Sequence, residues 1–339
     1  MRPNLYFLLC SLAGLTACGG TQNDTSATPA DSGNTNDTSA ELVVKAAALY
    51  SPAGHLFIPR GINLQYGDHP AAALPAIAEL AAAGANIVRL QLRRDTPAAD
   101  LKLALDAIVS QGMVAMPMYW EEDITCQSSA SALKTAVTAL WLARWKSTLL
   151  DPAYRGKILV NIANEWGSSQ DWSSYIRTYR QVIGQFRQAG FNMPLVIDAA
   201  DCGQNPDTFL QGRASTLQQA DAANNLLFSL HPYHDRWNST LKIEAILNQY
   251  QQQAIPLILG EFGDNEFQAD GGHNVDHLAL MASARRRQLG WIAWSWHGNG
   301  SGYEVLDMSS QYEPASLSRR GLDIVYGNDG LQQTAQPLQ

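Results

Sequence analysis

Apolar runs rich in β-forming residues alternate with amphipathic helical patterns from residue 56 onward, and this alternation leaves few folds open to the chain. The apolar runs span residues 56–64, 85–92, 113–120, 157–165, 194–200, 226–233, 256–263 and 291–296. Helical patterns between them include residues 72–83, 98–110, 132–150, 172–188 and 275–288. Strands without polar alternation are buried on both faces, which is typical of a parallel sheet covered by helices.

Glycines end several helical patterns just before the next strand, at Gly84, Gly112, Gly190 and Gly290. A glycine there is typical of a helix C-cap that leads into a parallel strand. Eight such βα units predict a closed (β/α)8 TIM barrel of the α/β class, a fold that needs about 250 residues. A doubly wound sheet would instead carry a glycine-rich phosphate loop after its first strand, and residues 60–64 contain no GxGxxG motif.

The composition narrows the choice of domain organisation and partner. The chain has 339 residues, of which 46% are hydrophobic and 16% charged, and its net charge is -8. This permits one large core, so we predict a single barrel domain over residues 41–339. Nucleic acid is excluded because binding it needs a basic face, whereas the Lys and Arg residues here are scattered. A neutral partner such as a carbohydrate fits the charge better.

The N-terminal residues are typical of a targeting signal rather than of a folded segment. Arg2 precedes the apolar residues 5–15, a run too short to span a bilayer. The following Leu-Thr-Ala-Cys, residues 15–18, resembles the lipobox of bacterial lipoproteins, which implies a signal peptide over residues 1–17 and a lipid on Cys18. Gly19 and Gly20, which follow the cysteine, include no aspartate retention signal. We therefore expect the protein to be displayed on the outer membrane or the cell surface. Ordinary cleavage near Ala17 with secretion is the alternative.

Residues 18–40 are nearly all Gly, Ser, Thr, Asn, Asp, Pro and Ala, which predicts a flexible tether. We expect a monomer whose contact with a membrane is the lipid anchor alone. Cys10 and Cys18 belong to the targeting segment, which leaves Cys126 and Cys202. Export would allow a disulfide between these two, although the sequence does not give the distance between their Cα atoms.

Two of the apolar runs end in a glutamate. Residues 157–163 lead towards Glu165, and residues 256–260 lead into Glu261. A carboxylate at the end of a buried strand is costly unless it has a partner or a chemical task. In a TIM barrel all strands end at one rim, where active sites lie. The same rim would receive Arg89, Asn164, His231, Tyr233, Trp294 and Trp296.

Two carboxylates at one rim suit the hydrolysis of a sugar linkage. A retaining glycosidase uses a proton donor and a nucleophile about 5 to 5.5 Å apart, whereas an inverting pair stands wider to admit water. Arg89 and Tyr233 are suited to keep the nucleophile ionised and oriented, and Asn164 to hydrogen-bond the sugar 2-hydroxyl. This chemistry needs no cofactor and no metal, and the histidines lack a defined third ligand.

Tryptophan rings can stack on the apolar faces of pyranose rings, so tryptophans that follow strands are candidate sugar contacts. These are Trp120, Trp166, Trp237, Trp294 and Trp296. Trp294 and Trp296 are expected on one face because side chains alternate along a strand. In contrast, the tryptophans at helical positions are expected to pack in the core; these are Trp141, Trp145 and Trp172.

The ordered set of short motifs at the strand ends resembles glycoside hydrolase family 5, in the clan whose acid/base and nucleophile follow strands four and seven. The matching segments are RGIN (60–63), ANIVRL (85–90), IANE (162–165), HPY (231–233), LGEFG (259–263) and WIAWSW (291–296). The resemblance implies that Glu165 is the general acid/base and Glu261 the nucleophile. It also implies that the subsite of the cleaved sugar is lined by Asn164, Arg89, His231, Tyr233 and Trp294.

Residues 195–204 and 294–307 resemble bacterial endo-β-1,4-mannanases, so β-mannan is the expected substrate. The chain departs from the family at Trp166, where a proline usually follows the acid/base, and at residues 119–123, where a histidine usually ends strand three. A family 5 endo-β-1,4-glucanase is the alternative enzyme. A non-catalytic glycan-binding surface lipoprotein is the alternative from another class, although such proteins usually lose one carboxylate and both are present here.

Overall fold

The computed structural model describes residues 40–264, 274–300, 302–312 and 316–339. The predicted signal peptide, Cys18 and nearly all of the predicted tether lie outside these residues. Within the part of the chain that is described, no helix is both long and apolar enough to cross a membrane.

A small antiparallel sheet, which the sequence analysis did not predict, precedes the barrel. Its strands are β1 (Val43–Lys45), β2 (Ala48–Tyr50) and β3 (Leu56–Phe57). The single strand predicted over residues 56–64 is therefore wrong, because β3 is separate from the first barrel strand, β4 (Arg60–Leu64). Pro59 lies between them, and a proline has no N–H with which to continue a strand ladder.

Eight parallel strands close into a barrel in chain order, which confirms the predicted TIM barrel. After β4 these are β5 (Ile87–Leu92), β6 (Val114–Tyr119), β7 (Val160–Asn161), β8 (Leu195–Asp198), β9 (Leu226–Leu230), β10 (Leu257–Leu259) and β11 (Gly290–Ala293). The sheet closes on itself where Trp291 of β11 pairs with Arg60 of β4. All eight strands are shorter than the predicted runs, and the six strands β6 to β11 end before the predicted runs do.

Helices cover the outside of the barrel. They are α1 (Pro70–Ala82), α2 (Ala98–Ser110), α3 (Ala130–Ala136), α4 (Lys146–Leu149), α5 (Trp172–Gln188), α6 (Arg213–Gln218), α7 (Thr240–Gln252), α8 (His277–Arg286), α9 (Arg319–Tyr326) and α10 (Leu331–Thr334). A π-helical segment (Val137–Arg144) joins α3 to α4 where one long helix was predicted. Short 3-10 helices lie at Pro152–Tyr154, Ser169–Asp171, Asp235–Trp237 and Glu304–Leu306.

Three of the four glycines predicted as helix C-caps adopt the left-handed conformation that favours glycine. Gly84, Gly112 and Gly190 have φ values of 96°, 76° and 95° and follow α1, α2 and α5. Gly290 is instead the first residue of β11, and Gln288, with φ of 53°, takes the left-handed position after α8. The helix ends were therefore predicted correctly in three cases.

Alternate residues of each barrel strand face the interior, and this places the site. In β5, Val88 and Leu90 pack against the helices, whereas Ile87 belongs to a separate cluster inside the barrel. The N-terminal sheet closes the end of the barrel at which the strands begin, because the same cluster includes Val44, Leu49 and Phe57 of the sheet and the preceding Leu42. Arg89, two residues beyond Ile87, lies in the interior towards the other end, where the strands finish.

Candidate active site

Glu165 and Glu261 lie at the same end of the barrel and close to each other. Glu165 stands beyond the end of β7, and Glu261 beyond the end of β10. One oxygen of each carboxylate lies within 4.8 Å of one oxygen of the other. Only 8% and 4% of these two residues are exposed. A spacing this short is typical of a retaining pair, since an inverting pair stands about 6.5 to 9.5 Å apart.

Glu261 accepts one hydrogen bond at each carboxylate oxygen. Arg89 Nη1 lies 2.5 Å from Oε1, and the Tyr233 hydroxyl lies 2.9 Å from Oε2. Burial and the negative charge of Glu261 raise the pKa of Tyr233 well above its usual value, so the hydroxyl keeps its proton. A carboxylate held by a guanidinium and a neutral hydroxyl is stabilised in its ionised form.

Arg89 is completely buried and connects several strand ends. Its guanidinium has five N–H donors. They reach oxygens at 2.5 to 3.2 Å in Asn63, Asn161, Asn164, Asp198 and Glu261. Burial alone would lower the pKa of Arg89, but the charges of Glu261 and Asp198 outweigh it and raise that pKa. Arg89 is therefore a fixed positive charge beneath the glutamates.

Glu165 has different polar neighbours. His231 Nδ1 lies 2.8 Å from its Oε1, and its backbone N–H donates to Asp198 at 3.0 Å. Burial, and then the negative charge of Glu261, raise the pKa of Glu165 to about 7, although the hydrogen bond from His231 opposes this. Both carboxyl groups thus contact a cation, but the raised pKa lets Glu165 carry a proton near neutral pH, which suits the acid role.

His231 and Asp198 form a buried ion pair beside Glu165. His231 Nε2 lies 3.5 Å from Asp198, and Nδ1 lies 3.7 Å from Glu261. Burial disfavours the charged imidazole, but the charges of Glu261 and Asp198 outweigh it and raise the pKa of His231 to about 10. Burial likewise opposes the charge on Asp198, but His231 and Arg89 lower its pKa to about 2. We call Arg89, Glu165, Asp198, His231 and Glu261 the buried charge cluster.

The sequence analysis missed three polar residues of this site: Asn63, Asn161 and Asp198. All three lie within barrel strands and are at most 1% exposed. The signal that could have found them is the one that identified the two glutamates, a polar residue in an otherwise apolar strand. Asp198, at the end of the run Leu195–Asp198, shows this signal most clearly.

A cleft of about 800 Å³ opens above the buried charge cluster. Six of the predicted site residues line it: Trp120, Asn164, Glu165, Tyr233, Glu261 and Trp294. Polar residues that were not predicted also line it; these include Gln65, Asp68, His69, Gln91, Gln204, His234 and Asn299. Amide groups and tryptophans in one cleft suit a ligand that has both hydroxyl groups and apolar ring faces.

Trp166 and Trp296 do not line the cleft, so their prediction as sugar contacts is wrong. Trp166 is 1% exposed and stacks on Tyr175 with ring centroids 6.0 Å apart. Trp296 is fully buried and donates from Nε1 to the carbonyl oxygen of Tyr312. Trp237 is also buried, whereas Trp141 and Trp145 pack in the core as predicted.

Arg89 and His231 also require a correction. Neither residue is exposed at all, so both lie beneath the lining of the subsite rather than in it. Arg89 holds Glu261 and His231 holds Glu165, at 2.5 Å and 2.8 Å. These two residues therefore orient the glutamates instead of contacting a ligand.

The two tryptophans in the cleft are each held by a polar partner. Trp294 donates from Nε1 to Asn299 at 2.8 Å. The guanidinium of Arg93 lies over the ring of Trp120, 4.4 Å from its centroid, and also pairs with Asp68. An arginine stacked on one face of an indole helps to fix the plane of the ring. Both rings are therefore held in place within the lining of the cleft.

Cys126 and Cys202 form a disulfide, with Cα atoms 4.5 Å apart. Both cysteines line the cleft. The sequence had left this bond open because it cannot give the distance between the two residues.

Glu165, His231 and Glu261 are also a group of potential metal ligands, with ligand atoms within 4.8 Å of one another. An imidazole must be neutral to bind a metal. With a pKa raised to about 10 by Glu261 and Asp198 against the effect of burial, His231 is protonated at neutral pH. The arrangement therefore suits proton transfer better than metal binding.

Comparisons with known proteins agree with this geometry. Residues 51–300 match the family model described as Cellulase (glycosyl hydrolase family 5). The chain is 31% identical over 306 residues to a mannan endo-1,4-beta-mannosidase of Salipaludibacillus agaradhaerens, covering 88% of this chain and 95% of the relative. The solved β-mannanase of Thermomonospora fusca superposes with a TM-score of 0.79 at 30% identity, covering 88% and 98% of the two chains. The chain belongs to glycosyl hydrolase family 5.

Proposed function

We propose that this protein is a retaining endo-β-1,4-mannanase in which Glu261 is the nucleophile and Glu165 the general acid/base. The observation that supports this most directly is the pair of carboxylates, from two different strand ends, whose oxygens approach within 4.8 Å. Arg89 and Tyr233 hold Glu261, and burial keeps the pKa of Glu165 at about 7. A retaining mechanism needs this difference.

The reaction follows in two displacements. In the first, a Glu261 oxygen bonds to the anomeric carbon, and the bond to the leaving oxygen breaks as Glu165 transfers its proton to that oxygen. In the second, Glu165 removes a proton from water, and the resulting hydroxide oxygen displaces Glu261 from the sugar. Glu165 ends protonated and Glu261 ionised, so the site is restored. Asn164, which lines the cleft, is placed to hydrogen-bond the 2-hydroxyl.

The relatives support mannan as the substrate. Two of them, from Salipaludibacillus agaradhaerens and Cellvibrio japonicus, are mannan endo-1,4-beta-mannosidases. The Thermomonospora fusca β-mannanase has also been solved with mannohexaose and with mannotriose. The alternative, an endo-β-1,4-glucanase, is favoured by the description of the matching family as a cellulase. A non-catalytic glycan-binding role is disfavoured because both carboxylates are present.

The experiment measures reducing ends released by the purified protein from galactomannan, glucomannan, carboxymethylcellulose and xylan. We expect rapid release from the mannans, and products that keep the β-configuration in proton NMR spectra. Higher activity on carboxymethylcellulose would assign the glucanase function instead. Binding to mannan without release of reducing ends would show a non-catalytic protein.

Variants test the two roles. Glu261→Ala should abolish turnover, and Glu165→Ala should lower it by roughly 100-fold or more, the usual range for loss of a general acid/base. Azide should restore activity to Glu165→Ala with an activated substrate, because this anion needs no general base. Glu244→Gln is the matched control, since Glu244 pairs with Arg286 and Arg287 away from the cleft. Normal activity in Glu261→Ala would refute the assigned roles.

We further propose that the protein is exported as a monomer and held at the outer membrane or cell surface by a lipid on Cys18. The motif at residues 15–18 supports this placement.

A further inference from the structure

The Cys126–Cys202 disulfide lies against the carboxylate oxygen of Glu165 that is not bound to His231. Cys126 Sγ is 3.6 Å from Glu165 Oε2, while the other oxygen, Oε1, is bound to His231. A sulfur in a disulfide has no proton to donate, so this contact is one of packing. The disulfide therefore covers one side of Oε2.

The same bond connects the two loops that enclose the Glu165 segment. On one side, Cys126 N–H donates to the Glu165 carbonyl oxygen at 3.2 Å, and Gly167 N–H donates to Gln127 at 2.8 Å. On the other side, Asp201 N–H donates to the Gly167 carbonyl oxygen at 2.9 Å. The disulfide joins these flanking loops across 76 residues of sequence. The segment is thus enclosed between two loops that cannot move apart.

Four residues at this place have left-handed backbone conformations, although none is a glycine. The φ values are 58° at Cys126, 53° at Glu165, 55° at Asp201 and 57° at Cys202. Non-glycine residues rarely adopt such values, and they persist when the surrounding structure imposes them. A covalent link between the loops is one such constraint.

We propose that the Cys126–Cys202 disulfide is a positioning group for the general acid/base, which holds the Glu165 carboxyl at the leaving oxygen and shields one side of its Oε2, while the cleft side stays open to the reacting water. This inference rests on the proposed role of Glu165. Burial is the largest cause of the raised pKa of this residue, in agreement with a carboxyl group that is shielded on one side.

The leaving group distinguishes positioning of the acid from general damage to the cleft. A sugar hydroxylate leaves poorly and must be protonated, whereas 2,4-dinitrophenolate leaves without a proton. Loss of acid positioning should therefore slow cleavage of mannopentaose but not the first step on 2,4-dinitrophenyl β-mannobioside. The kcat/KM value reports this first step for both substrates.

The test compares the wild-type protein with the double variant Cys126→Ala/Cys202→Ala. We expect kcat/KM for mannopentaose to fall by about 10- to 100-fold, in line with small displacements of catalytic groups. The value for the dinitrophenyl glycoside should change by less than about twofold in the same preparation. The alkaline limb of the mannopentaose profile should also move to lower pH, because water would then reach the shielded side of Oε2 as well.

Reduction of the wild-type protein gives a second measurement if the variant does not fold. Cys126 is exposed and Cys202 half-buried, so a water-soluble phosphine can reach the bond. Mass spectrometry of the two cysteine peptides reports the extent of reduction. Activity on mannopentaose should fall with reduction and return on reoxidation, and the double variant should not respond to the phosphine.

Two results would overturn this inference. An unchanged kcat/KM for mannopentaose, or an equal loss on both substrates, would show that the disulfide does not position the acid. A wrong assignment of Glu165 would give a different result from these two. Glu165→Ala would then lose as much activity on the dinitrophenyl glycoside as on mannopentaose, and azide would not restore it.

Discussion

Asp198 is the single residue that connects the supports of the two catalytic glutamates. Its carboxylate lies 3.2 Å from Arg89, which holds Glu261, and 3.5 Å from His231, which holds Glu165. It also accepts the backbone N–H of Glu165 at 3.0 Å. Asp198 balances two buried cations, so its loss should disturb both glutamates.

The variant Asp198→Asn tests this. Removing one charge from a buried ion pair costs roughly 3 kcal/mol, so we expect a decrease of that size in the free energy of unfolding in urea. The pKa of His231 should fall, although Glu165, Glu261 and Arg89 still face the imidazole, and NMR titration of the ring measures it. The kcat/KM value for mannan should drop by roughly tenfold or more, since the support of both catalytic groups is disturbed.

Asp221→Asn is the matched control. Asp221 is also buried and pairs with Arg187 at 2.6 Å, but the pair lies away from the cleft. This variant should lose stability without a change in the pH profile of activity. If both variants changed activity equally, the special role of Asp198 would be refuted.

The pH dependence of the first step should follow the proton on Glu165. Burial and the charge of Glu261 raise its pKa to about 7, and the acid acts while it is protonated. The kcat/KM value for mannan should therefore be highest below this pH and fall about tenfold per unit above it. With 2,4-dinitrophenyl β-mannobioside this alkaline limb should disappear, and its persistence would assign the limb to another group.

The charged residues of the site were easier to predict than the aromatic ones. A carboxylate at the end of an apolar strand is unusual whatever the surrounding loops do, so Glu165 and Glu261 could be identified from sequence. Trp296 was expected on the same face as Trp294 because side chains alternate along a strand. This expectation fails because β11 ends at Ala293, before Trp294 and Trp296. Trp166 follows Glu165, whose φ of 53° turns the chain out of strand geometry.

Among the secondary-structure elements, the N-terminal sheet of β1, β2 and β3 closes one end of the barrel. Phe57 of β3 is 3% exposed and packs in the cluster inside the barrel. Phe57→Ala should lower the free energy of unfolding by about 3 to 5 kcal/mol, as expected for a large cavity in a core. The kcat value should not change, because the cleft is at the other end.

Leu56→Ala is the control for Phe57→Ala. Leu56 is the neighbour in the same strand and is 39% exposed. Its truncation should change stability by less than about 1 kcal/mol. Equal decreases in the free energy of unfolding of the two variants would show that the packing of the N-terminal sheet does not depend on Phe57.

The barrel strands could be predicted because each is buried on both faces and therefore continuously apolar. The irregular elements could not. The π-helical segment Val137–Arg144 and the short α6 and α10 lack a strong periodic signal, because packing rather than local preference decides them. The three strands of the N-terminal sheet are at most three residues long, which is too short to show the alternation of a strand.

At the scale of the whole molecule, the proposed anchor predicts where the protein is found. Wild-type protein in its native host should sediment with membranes, and Cys18→Ala should be released while keeping the kcat/KM of the wild type. Cell fractionation and labelling with a radioactive fatty acid measure both properties. Unlabelled wild-type protein in the medium would support simple secretion instead.

The point at which the chain enters the barrel has a consequence for such an anchor. Leu42 and Val44 bond to Asn225, just before the start of β9, at the end closed by the N-terminal sheet. The first described residues therefore lie at the end of the barrel opposite the two glutamates. An attachment that enters the barrel at this end does not cover the cleft, so long polysaccharides could still reach it.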